Sequence, residues 1–228
     1  MANYGFDADH SGHTVCAFKD WPDRNIAIGL LLFSYGTVLN PQSICPDARE
    51  QALRLAKTMV QAEMEEIAKS DGCTDMQYAA TRIFDSLKTA NERICALNAL
   101  LGQGTYVGGV IVYFVGTQYF YLPFGGGVIY LWNGYELRQL MHKEENDNLI
   151  RNAVGGVGDW TGECRRDNLP ERASLFCMTD ELPYEEAVNE KLRDGLKEAT
   201  HPNTAAMLLR RELVHTAQPP SAVLEIRL

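Results

Sequence analysis

Two consecutive stretches of the chain place apolar residues at three- and four-residue steps, which is the spacing of one buried helix face. The first stretch is Pro46–Lys69, where the proline suits the first helical position. Its apolar positions are Leu53, Ala56, Val60, Met64 and Ile67. The second stretch begins at Thr74, whose hydroxyl can cap a helix while Gln77 reaches back, and it stops at Gly102. The pattern therefore predicts a pair of long helices.

After Gly102 the apolar pattern changes to every second residue, and β-branched and aromatic residues become frequent. This pattern predicts four successive strands, at residues 107–115, 118–124, 127–132 and 135–140. Turn residues separate them at Gly116-Thr117 and Asn133-Gly134, and Asn-Gly is a strong hairpin signal because both central residues adopt positive φ. We therefore expect these strands to form an antiparallel sheet.

The remaining segments extend this organisation on both sides. Strands are predicted at residues 13–18, 26–34, 173–179 and 222–228, and helices at residues 183–197 and 202–215. No linker-like segment and no run of like charge divides the chain, so we expect a single domain over residues 1–228. Antiparallel strand runs separated by helix pairs predict an α+β fold, with sheet packed on sheet and helices outside.

The charge balance excludes several classes of partner. The 228 residues contain 21 Lys and Arg against 30 Asp and Glu, a net charge of −9. This excess of acid argues against nucleic acid or an anionic membrane as the main partner. The longest apolar runs, residues 26–33 and 107–115, are far shorter than the roughly 20 residues that a membrane helix needs. We therefore expect a soluble cytoplasmic protein.

Four segments carry short motifs in a fixed order. Residues 116–117 and 124–134, with Leu137, resemble a strand, a turn and V-G-D-S-R-x-Y-L-x-R-x-G-x-x-x-x-L. Residues 149–156 resemble I-x-R-A-L-G, residues 174–182 resemble a strand ending in L-x-S-D-G-L, and residues 219–226 stand in place of D-N-I-T-V-V-x-V. In this order the motifs resemble those of the type 2C, or PPM, family of metal-dependent Ser/Thr protein phosphatases. The resemblance implies a four-layer α-β-β-α sandwich.

The resemblance also implies a cleft in which carboxylates hold two divalent cations, Mg²⁺ or Mn²⁺, that activate a water molecule. In this chain the corresponding cleft residues are Ser34, Tyr35, Gly125, Gly126, Asp180, Pro220 and Ser221. Ser34 stands where the family motif A-D-G-x-G-G has the aspartate that bridges the two metals. Gly126 replaces the aspartate of V-G-D-S, and Pro220-Ser221 replaces the D-N pair. Only Asp180 keeps a metal-ligand position.

One carboxylate contributes −1 against the +4 of two divalent ions. The resemblance therefore implies a catalytically degenerate relative, a pseudophosphatase without a metal cofactor. Such a protein would bind or regulate a protein partner, for example a phosphoprotein, a Ser/Thr kinase or a related phosphatase. The alternative is an active Mg²⁺- or Mn²⁺-dependent Ser/Thr phosphatase with rearranged ligands, in which Asp20, Asp23 or Glu181 joins Asp180. A third alternative is an unrelated domain that binds a small molecule in a closed apolar pocket.

Three local patterns invite a functional interpretation and have a simpler one. Asp7-x-Asp9-His10-x-x-His13 contains metal-ligand residue types, but a polar run near a terminus predicts a solvated segment. Glycines 125–127 resemble a phosphate cradle but lead into a strand, so we predict a tight sheet crossing. The six cysteines are scattered without a Cys-x-x-Cys pair, so structural zinc is not expected.

Overall fold

The computed structural model describes residues 3–9, 12–36, 46–101, 104–140, 152–156, 160, 163–183, 186–214 and 221–227. The helices in these residues are α1 Pro46–Lys69, α2 Met76–Leu101, α3 Glu186–Glu198 and α4 Pro202–Val214, with a short 3₁₀ helix at Pro22–Arg24. The strands are β1 Asn3–Ala8, β2 Thr14–Trp21, β3 Ile26–Gly36, β4 Thr105–Val115, β5 Gln118–Phe124, β6 Val128–Trp132, β7 Leu137–Gln139, β8 Arg165–Asn168, β9 Ser174–Met178 and β10 Ala222–Arg227. None of the described helices combines the length and apolar character that crossing a membrane requires.

The strands form two five-stranded sheets in which every named pair is antiparallel. Sheet A has the order β1-β10-β9-β6-β7, and sheet B has the order β2-β3-β4-β5-β8. The chain starts in sheet A, builds most of sheet B and returns to sheet A at β6. Each sheet therefore combines strands that are distant in sequence.

Three apolar clusters hold the layers together. Helices α1 and α2 pack on the outer face of sheet B, where Ile83 and Ile111 are fully buried. Helices α3 and α4 cover the outer face of sheet A, with Leu209 against Phe176. The third cluster lies between the two sheets and includes Leu224. The layer order is therefore α-β-β-α, which confirms the predicted α+β sandwich.

The apolar pattern did not predict β1 and β8. Strand β1 pairs with β10 along its whole length, so the start of the chain is an edge strand and not the solvated segment that its polar residues indicated. Strand β8 consists of four exposed polar residues that pair with β5. No apolar alternation marks β8, because both of its faces lie at the surface.

The N-terminus of α2 is capped by Asp75 and not by Thr74. A carboxylate oxygen of Asp75 accepts hydrogen bonds from the backbone N–H groups of Gln77, at 2.8 Å, and Tyr78, at 3.2 Å. The side chain of Gln77 instead accepts a hydrogen bond from Arg166 of β8. The pattern identified the helix but placed its cap one residue early, because Thr and Asp are both favourable capping residues.

Candidate functional site

One end of the sandwich gathers strand ends from sheet A. Met178, the last residue of β9, pairs with Val128 of β6 on one side and with Val223 of β10 on the other. Continued by two residues, the β9–β10 register places Asp180 beside Ser221. Two of the cleft residues named from the sequence therefore lie side by side, whereas Gly126, with φ +91°, belongs to the turn that leaves sheet A.

Asp9 joins these residues from the edge strand. Its backbone N–H donates to the carbonyl of Ser221 at 2.9 Å, and the backbone N–H of Ser221 donates to the Asp9 carboxylate at 3.1 Å. We call the resulting line of three residues the sheet A row; its members are Asp180, Ser221 and Asp9. The row contains two carboxylates, one more than the sequence indicated.

The signal that would have placed Asp9 was present in the sequence. Tyr4, Phe6 and Ala8 alternate with Gly5 and Asp7, which is the period of a strand with one buried face. Asp7 forms an ion pair with Arg210 of α4 on the helix side of sheet A, so it faces away from the cleft. Asp9 lies one residue beyond the strand, where its carboxylate accepts a hydrogen bond from the backbone N–H of Ser221.

Aromatic side chains line the sheet B side of the same end. Alternate residues of β3 face the same layer, and Leu31 belongs to the core between the sheets, so Phe33 and Tyr35 face inward. The ring of Tyr35 lies 5.9 Å from that of Phe33 and 5.8 Å from that of Tyr106, centroid to centroid. We call these three rings the aromatic cluster.

The hydroxyl of Tyr35 is buried and has no hydrogen-bond partner. Burial raises the pKa of Tyr35 far above its usual value, and the neighbouring Tyr106 raises it further. At neutral pH this side of the cleft therefore presents a neutral phenol, which is a much weaker ligand for a hard cation than a carboxylate.

Ser34 occupies the other face of β3. It is completely buried and lies on the helix-facing side, as does Leu32 in the cluster beneath α1 and α2. Its backbone N–H donates to the carbonyl of His13 at 2.9 Å. The sequence motif placed Ser34 at the bridging aspartate, whereas Tyr35 is the side chain that faces the space between the sheets.

The chain crosses between the sheets at residues 125–127. Strand β5 ends at Phe124 in sheet B, and β6 begins at Val128 in sheet A. Gly125 has φ +55°, and a Cβ there would lie 2.7 Å from the Cα of Gly108 and 3.1 Å from the hydroxyl of Tyr35. The three glycines therefore form the predicted tight crossing, which lets the strands approach closely.

Two of the other acidic candidates, Asp20 and Asp23, lie at the far end of the β2–β3 hairpin. Asp20 pairs with Ala27, which is about 23 Å from Ser34 along β3 at about 3.3 Å per residue, and Asp23 lies in the adjoining turn. The carboxylate of Glu181 accepts a hydrogen bond from Gln139 of β7 at 2.8 Å. Pro220 and His10 lie outside the described residues.

The donor set at this end of the sandwich is small. Within the described parts of the chain, no three His, Cys, Asp or Glu side chains lie close enough together to hold a metal ion. Asp9 and Asp180 stand on either side of Ser221, so their backbones are two strand spacings apart, about 10 Å. The arrangement provides one carboxylate at each of two separate points.

Comparisons with known proteins identify the fold. No protein-family model and no curated protein matches the chain. The S. agalactiae serine/threonine phosphatase is similar with a TM-score of 0.76 and 15% identity, covering 100% of both chains. The catalytic domain of the phosphatase PstP, in complex with two manganese ions, has a TM-score of 0.64 and 14% identity, covering 99% of this chain and 96% of that one. The PPM Ser-Thr phosphatase MsPP from Mycobacterium smegmatis, in complex with cacodylate, has a TM-score of 0.67 and 12% identity over 99% and 97%.

The chain therefore has the fold of the PPM Ser/Thr phosphatases over nearly its whole length. At 12 to 15% identity the likeness establishes the architecture alone. What the cleft does depends on the residues that this chain places there.

Proposed function

We propose that this protein is a catalytically degenerate member of the PPM fold, a pseudophosphatase that serves as a binding or regulatory module for a protein partner. The observation that carries the proposal is the donor set of the cleft. One side holds two separated aspartates, Asp9 and Asp180, and the other side holds the aromatic cluster.

The charges of this cleft do not fit a pair of Mg²⁺ or Mn²⁺ ions. Two carboxylates contribute −2 against +4, and Mg²⁺ requires oxygen ligands at about 2.0–2.1 Å in near-octahedral geometry. The Asp9 carboxylate already accepts a backbone hydrogen bond from Ser221. The neutral ring of Tyr35 supplies no compensating charge. A dinuclear centre therefore lacks the anionic oxygens that would offset its own desolvation.

A protein partner follows from what the chain retains. The whole architecture of a phosphatase domain is present, including the crossing at residues 125–127 that shapes the cleft. A scaffold of this shape without a metal centre can bind the segment that an active relative would process. We expect the partner to be a phosphoprotein, a Ser/Thr kinase or a related phosphatase, since the net charge of −9 disfavours nucleic acid and anionic membranes.

Calorimetric titration with Mn²⁺ tests the proposal directly. The full chain is expected to show no tight binding of two ions, and no Mn²⁺-dependent hydrolysis of p-nitrophenyl phosphate above that of Asp180→Ala. Tight uptake of two Mn²⁺ per chain would refute the pseudophosphatase assignment.

A second candidate function is an active metal-dependent phosphatase with rearranged ligands. The sheet A row favours it, because Asp9 supplies a carboxylate beside Ser221 that the sequence motifs did not provide. This function requires Mn²⁺-dependent hydrolysis that is lost in both Asp9→Asn and Asp180→Ala. Asp23→Asn is the matched control, since Asp23 lies in the turn at the far end of the β2–β3 hairpin.

A further inference from the structure

Strand β2 is the edge strand with the least protection against pairing. The edges of the two sheets are β1 and β7 in sheet A, and β2 and β8 in sheet B. Strand β7 has three residues, β8 has four exposed polar residues, and the N–H of Phe6 in β1 donates to Asn203 of α4 at 3.1 Å. Strand β2 has eight residues, contains no proline and pairs with β3 without a bulge. Short length, prolines, bulges and covering elements are the features that keep edge strands from associating.

The free side of β2 presents a row of backbone groups that no described residue binds. The N–H of Ser34 in β3 donates to the carbonyl of His13 at 2.9 Å, and the register of the two strands, continued by one residue, makes them direct partners. In an antiparallel pair, residues that bond the partner strand alternate with residues whose N–H and C=O point away from it. The odd residues of β2 therefore bond β3, and the outward-pointing backbone groups are those of Thr14, Cys16, Phe18 and Asp20.

Apolar surface flanks this edge on both faces. On the side of sheet A, the ring of Phe18 stacks on that of Tyr4 in β1, at 4.8 Å between centroids, and Tyr4 and Phe6 are 47% and 51% exposed. On the helix side, a groove of about 260 Å³ lies between β2 and α1, and its lining includes Ala17 and Met64. Because side chains alternate along a strand, a strand added to β2 would contact one surface with each of its faces.

We propose that β2 pairs with β2 of a second copy of the chain across a two-fold axis, which joins the two B sheets into one. One register uses every outward-pointing residue: Cys16 pairs with Phe18, Thr14 pairs with Asp20, and Ala17 meets its own counterpart on the axis. This ladder contains roughly eight backbone hydrogen bonds. A shift by two residues in either direction leaves Thr14 or Asp20 outside the ladder.

The charges of β2 allow a second copy of this acidic chain to approach. With a net charge of −9, two copies repel each other unless the surfaces that meet carry little charge. Lys19 forms an ion pair with Glu65 of α1, which leaves Asp20 as the uncompensated charge of the strand. In the proposed register Asp20 lies opposite Thr14 of the second copy, whose hydroxyl can donate to the carboxylate. No two like charges lie opposite each other.

This association goes beyond the proposed function and does not depend on it. Strand β2 runs along one side of the sandwich, whereas the cleft lies at its end. The Mn²⁺ titration tests the cleft and the mass of the particle tests the β2 edge, so either can fail without the other.

Sedimentation equilibrium of the full chain, from micromolar to submillimolar concentration, tests the association. We expect a mass that rises with concentration to twice the 25.5 kDa of one chain. Ala17→Lys should weaken the association by about tenfold or more, because it places two ammonium groups opposite each other on the axis. Tyr135→Lys is the matched control, since it changes the net charge equally at a 79% exposed site between β6 and β7.

A cross-link tests the register. In Ala17→Cys the two introduced residues form a non-hydrogen-bonded pair with Cα atoms about 4.5 Å apart, which is within the range of a disulfide. Oxidation of the two thiols by diamide should give a linked dimer that a reductant separates. Val15→Cys is the matched control, because Val15 faces the same side but lies more than about 13 Å from its counterpart. Both variants also carry Cys164→Ser, since Cys164 is an exposed free thiol.

Amide hydrogen exchange identifies the surface that pairs. The N–H groups of Cys16 and Phe18 should exchange rapidly in dilute samples and become protected as the dimer forms. The N–H of Ala17, which bonds β3, should be protected at both concentrations and serves as the internal reference.

Three results would overturn the proposal. They are the mass of a single chain at every concentration, protection of Cys16 and Phe18 in dilute samples, and cross-linking of Val15→Cys as readily as Ala17→Cys. A chain that stays monomeric would leave this edge to a strand from another protein.

Discussion

The chemistry of the cleft is decided by single positions at the end of β3. Ser34 and Tyr35 are neighbours in sequence, yet they face different layers of the sandwich. If a motif is aligned one residue off along β3, the residue assigned to the space between the sheets changes from Tyr35 to Ser34, whose side chain faces the helices. Each of the two hydroxyls is buried and has no partner, so each can be tested by removal.

Replacement of Tyr35 by phenylalanine should leave stability unchanged or raise it by up to about 1 kcal/mol. The substitution removes a buried hydroxyl that has no hydrogen bond and keeps the ring contacts with Phe33 and Tyr106. Urea denaturation followed by fluorescence or circular dichroism measures the free energy of unfolding.

Tyr113→Phe is the matched control for that experiment. The hydroxyl of Tyr113 is also buried, but it donates to the carbonyl of Cys73 at 2.6 Å. Its removal should lower the free energy of unfolding by about 1–2 kcal/mol. If Tyr35→Phe is as destabilising as Tyr113→Phe, the Tyr35 hydroxyl has a partner and the description of the cleft is wrong.

The sequence could predict the cleft only in part. The motifs named Asp180 and Ser221 from their spacing along the chain, and the β9–β10 register brings these two residues side by side. Asp9 was recognised only as part of the polar run Asp7–His13 and interpreted as solvated, because the pairing of β1 with β10 joins distant parts of the chain and leaves only a weak local pattern. They also named Ser34, whose side chain lies on the helix-facing side of β3 while that of Tyr35 faces the other sheet, because short motifs do not fix which face a residue takes.

At the scale of elements, helix α2 holds a segment that has little structure of its own. The described residues 152–156 lie beside the start of β4 through one bridge between Val107 and Val154. Asn91 accepts a hydrogen bond from the backbone N–H of Gly155 at 2.7 Å. Asn98 donates to the carbonyls of Thr105, at 2.7 Å, and Gly155, at 3.2 Å, and accepts from the N–H of Thr105 at 3.0 Å.

Asn98→Ala should therefore lower the free energy of unfolding by about 2–4 kcal/mol. The substitution removes three hydrogen bonds and leaves backbone groups of Thr105 and Gly155 without partners. Chemical denaturation measures the loss, with Thr89→Ala as control, because Thr89 is exposed on the same helix and bonds only its own turn. A loss below about 1 kcal/mol would show that the segment is held by other contacts.

Elements with one apolar face were predictable, and elements without one were not. Helix α1 begins and ends where its apolar stripe and first proline indicated. Strand β8 is recognised only by its pairing with β5, since its four residues are all exposed. The first residue of α2 depended on which of two adjacent capping residues, Thr74 or Asp75, accepts hydrogen bonds from the helix N–H groups. In the structure it is Asp75.

At the scale of the whole molecule, architecture and chemistry are determined by different residues. The layers require only apolar alternation and turns, and these are shared with phosphatases at 15% identity. The cleft depends on a handful of positions that contribute little to the core. The apolar pattern of the chain therefore predicted the α-β-β-α sandwich. It did not predict which side chains face the cleft, because that depends on strand register at a few positions.

One buried charge makes the stability of the whole sandwich sensitive to pH. Glu225 of β10 is 0% exposed and forms an ion pair of 2.5 Å with Arg227, which also donates to the carbonyls of Ala199 and Thr200 between α3 and α4. Burial raises the pKa of Glu225 above its ordinary 4.5, while Arg227, Ser174 and His201 act in the opposite direction.

The raised pKa means that Glu225 favours folding most at low pH. Below 4.5 both states hold the proton; as the pH rises, the unfolded chain releases it first, and the free energy of unfolding falls until the folded pKa is passed. Relative to Glu225→Gln, the native chain should lose stability over this window, by at most about 1.4 kcal/mol per pH unit. Urea denaturation at several pH values measures the difference, and Glu136→Gln, at an exposed site, is the control.

A constant difference between the native chain and Glu225→Gln would contradict this prediction. So would a difference that grows in favour of the native chain as the pH rises, since that is the behaviour of a carboxyl whose pKa is lowered in the folded state.

The glycine crossing between β5 and β6 also constrains how the two sheets can move. Because only residues 125–127 separate a strand of one sheet from a strand of the other, the layers are tethered at the mouth of the cleft. They cannot slide far past each other or part at that end. The opposite rim has a second short link, because residues 169–173 join β8 of sheet B to β9 of sheet A. The two sheets are therefore fastened at both rims, and the width of the cleft is set by the fold itself.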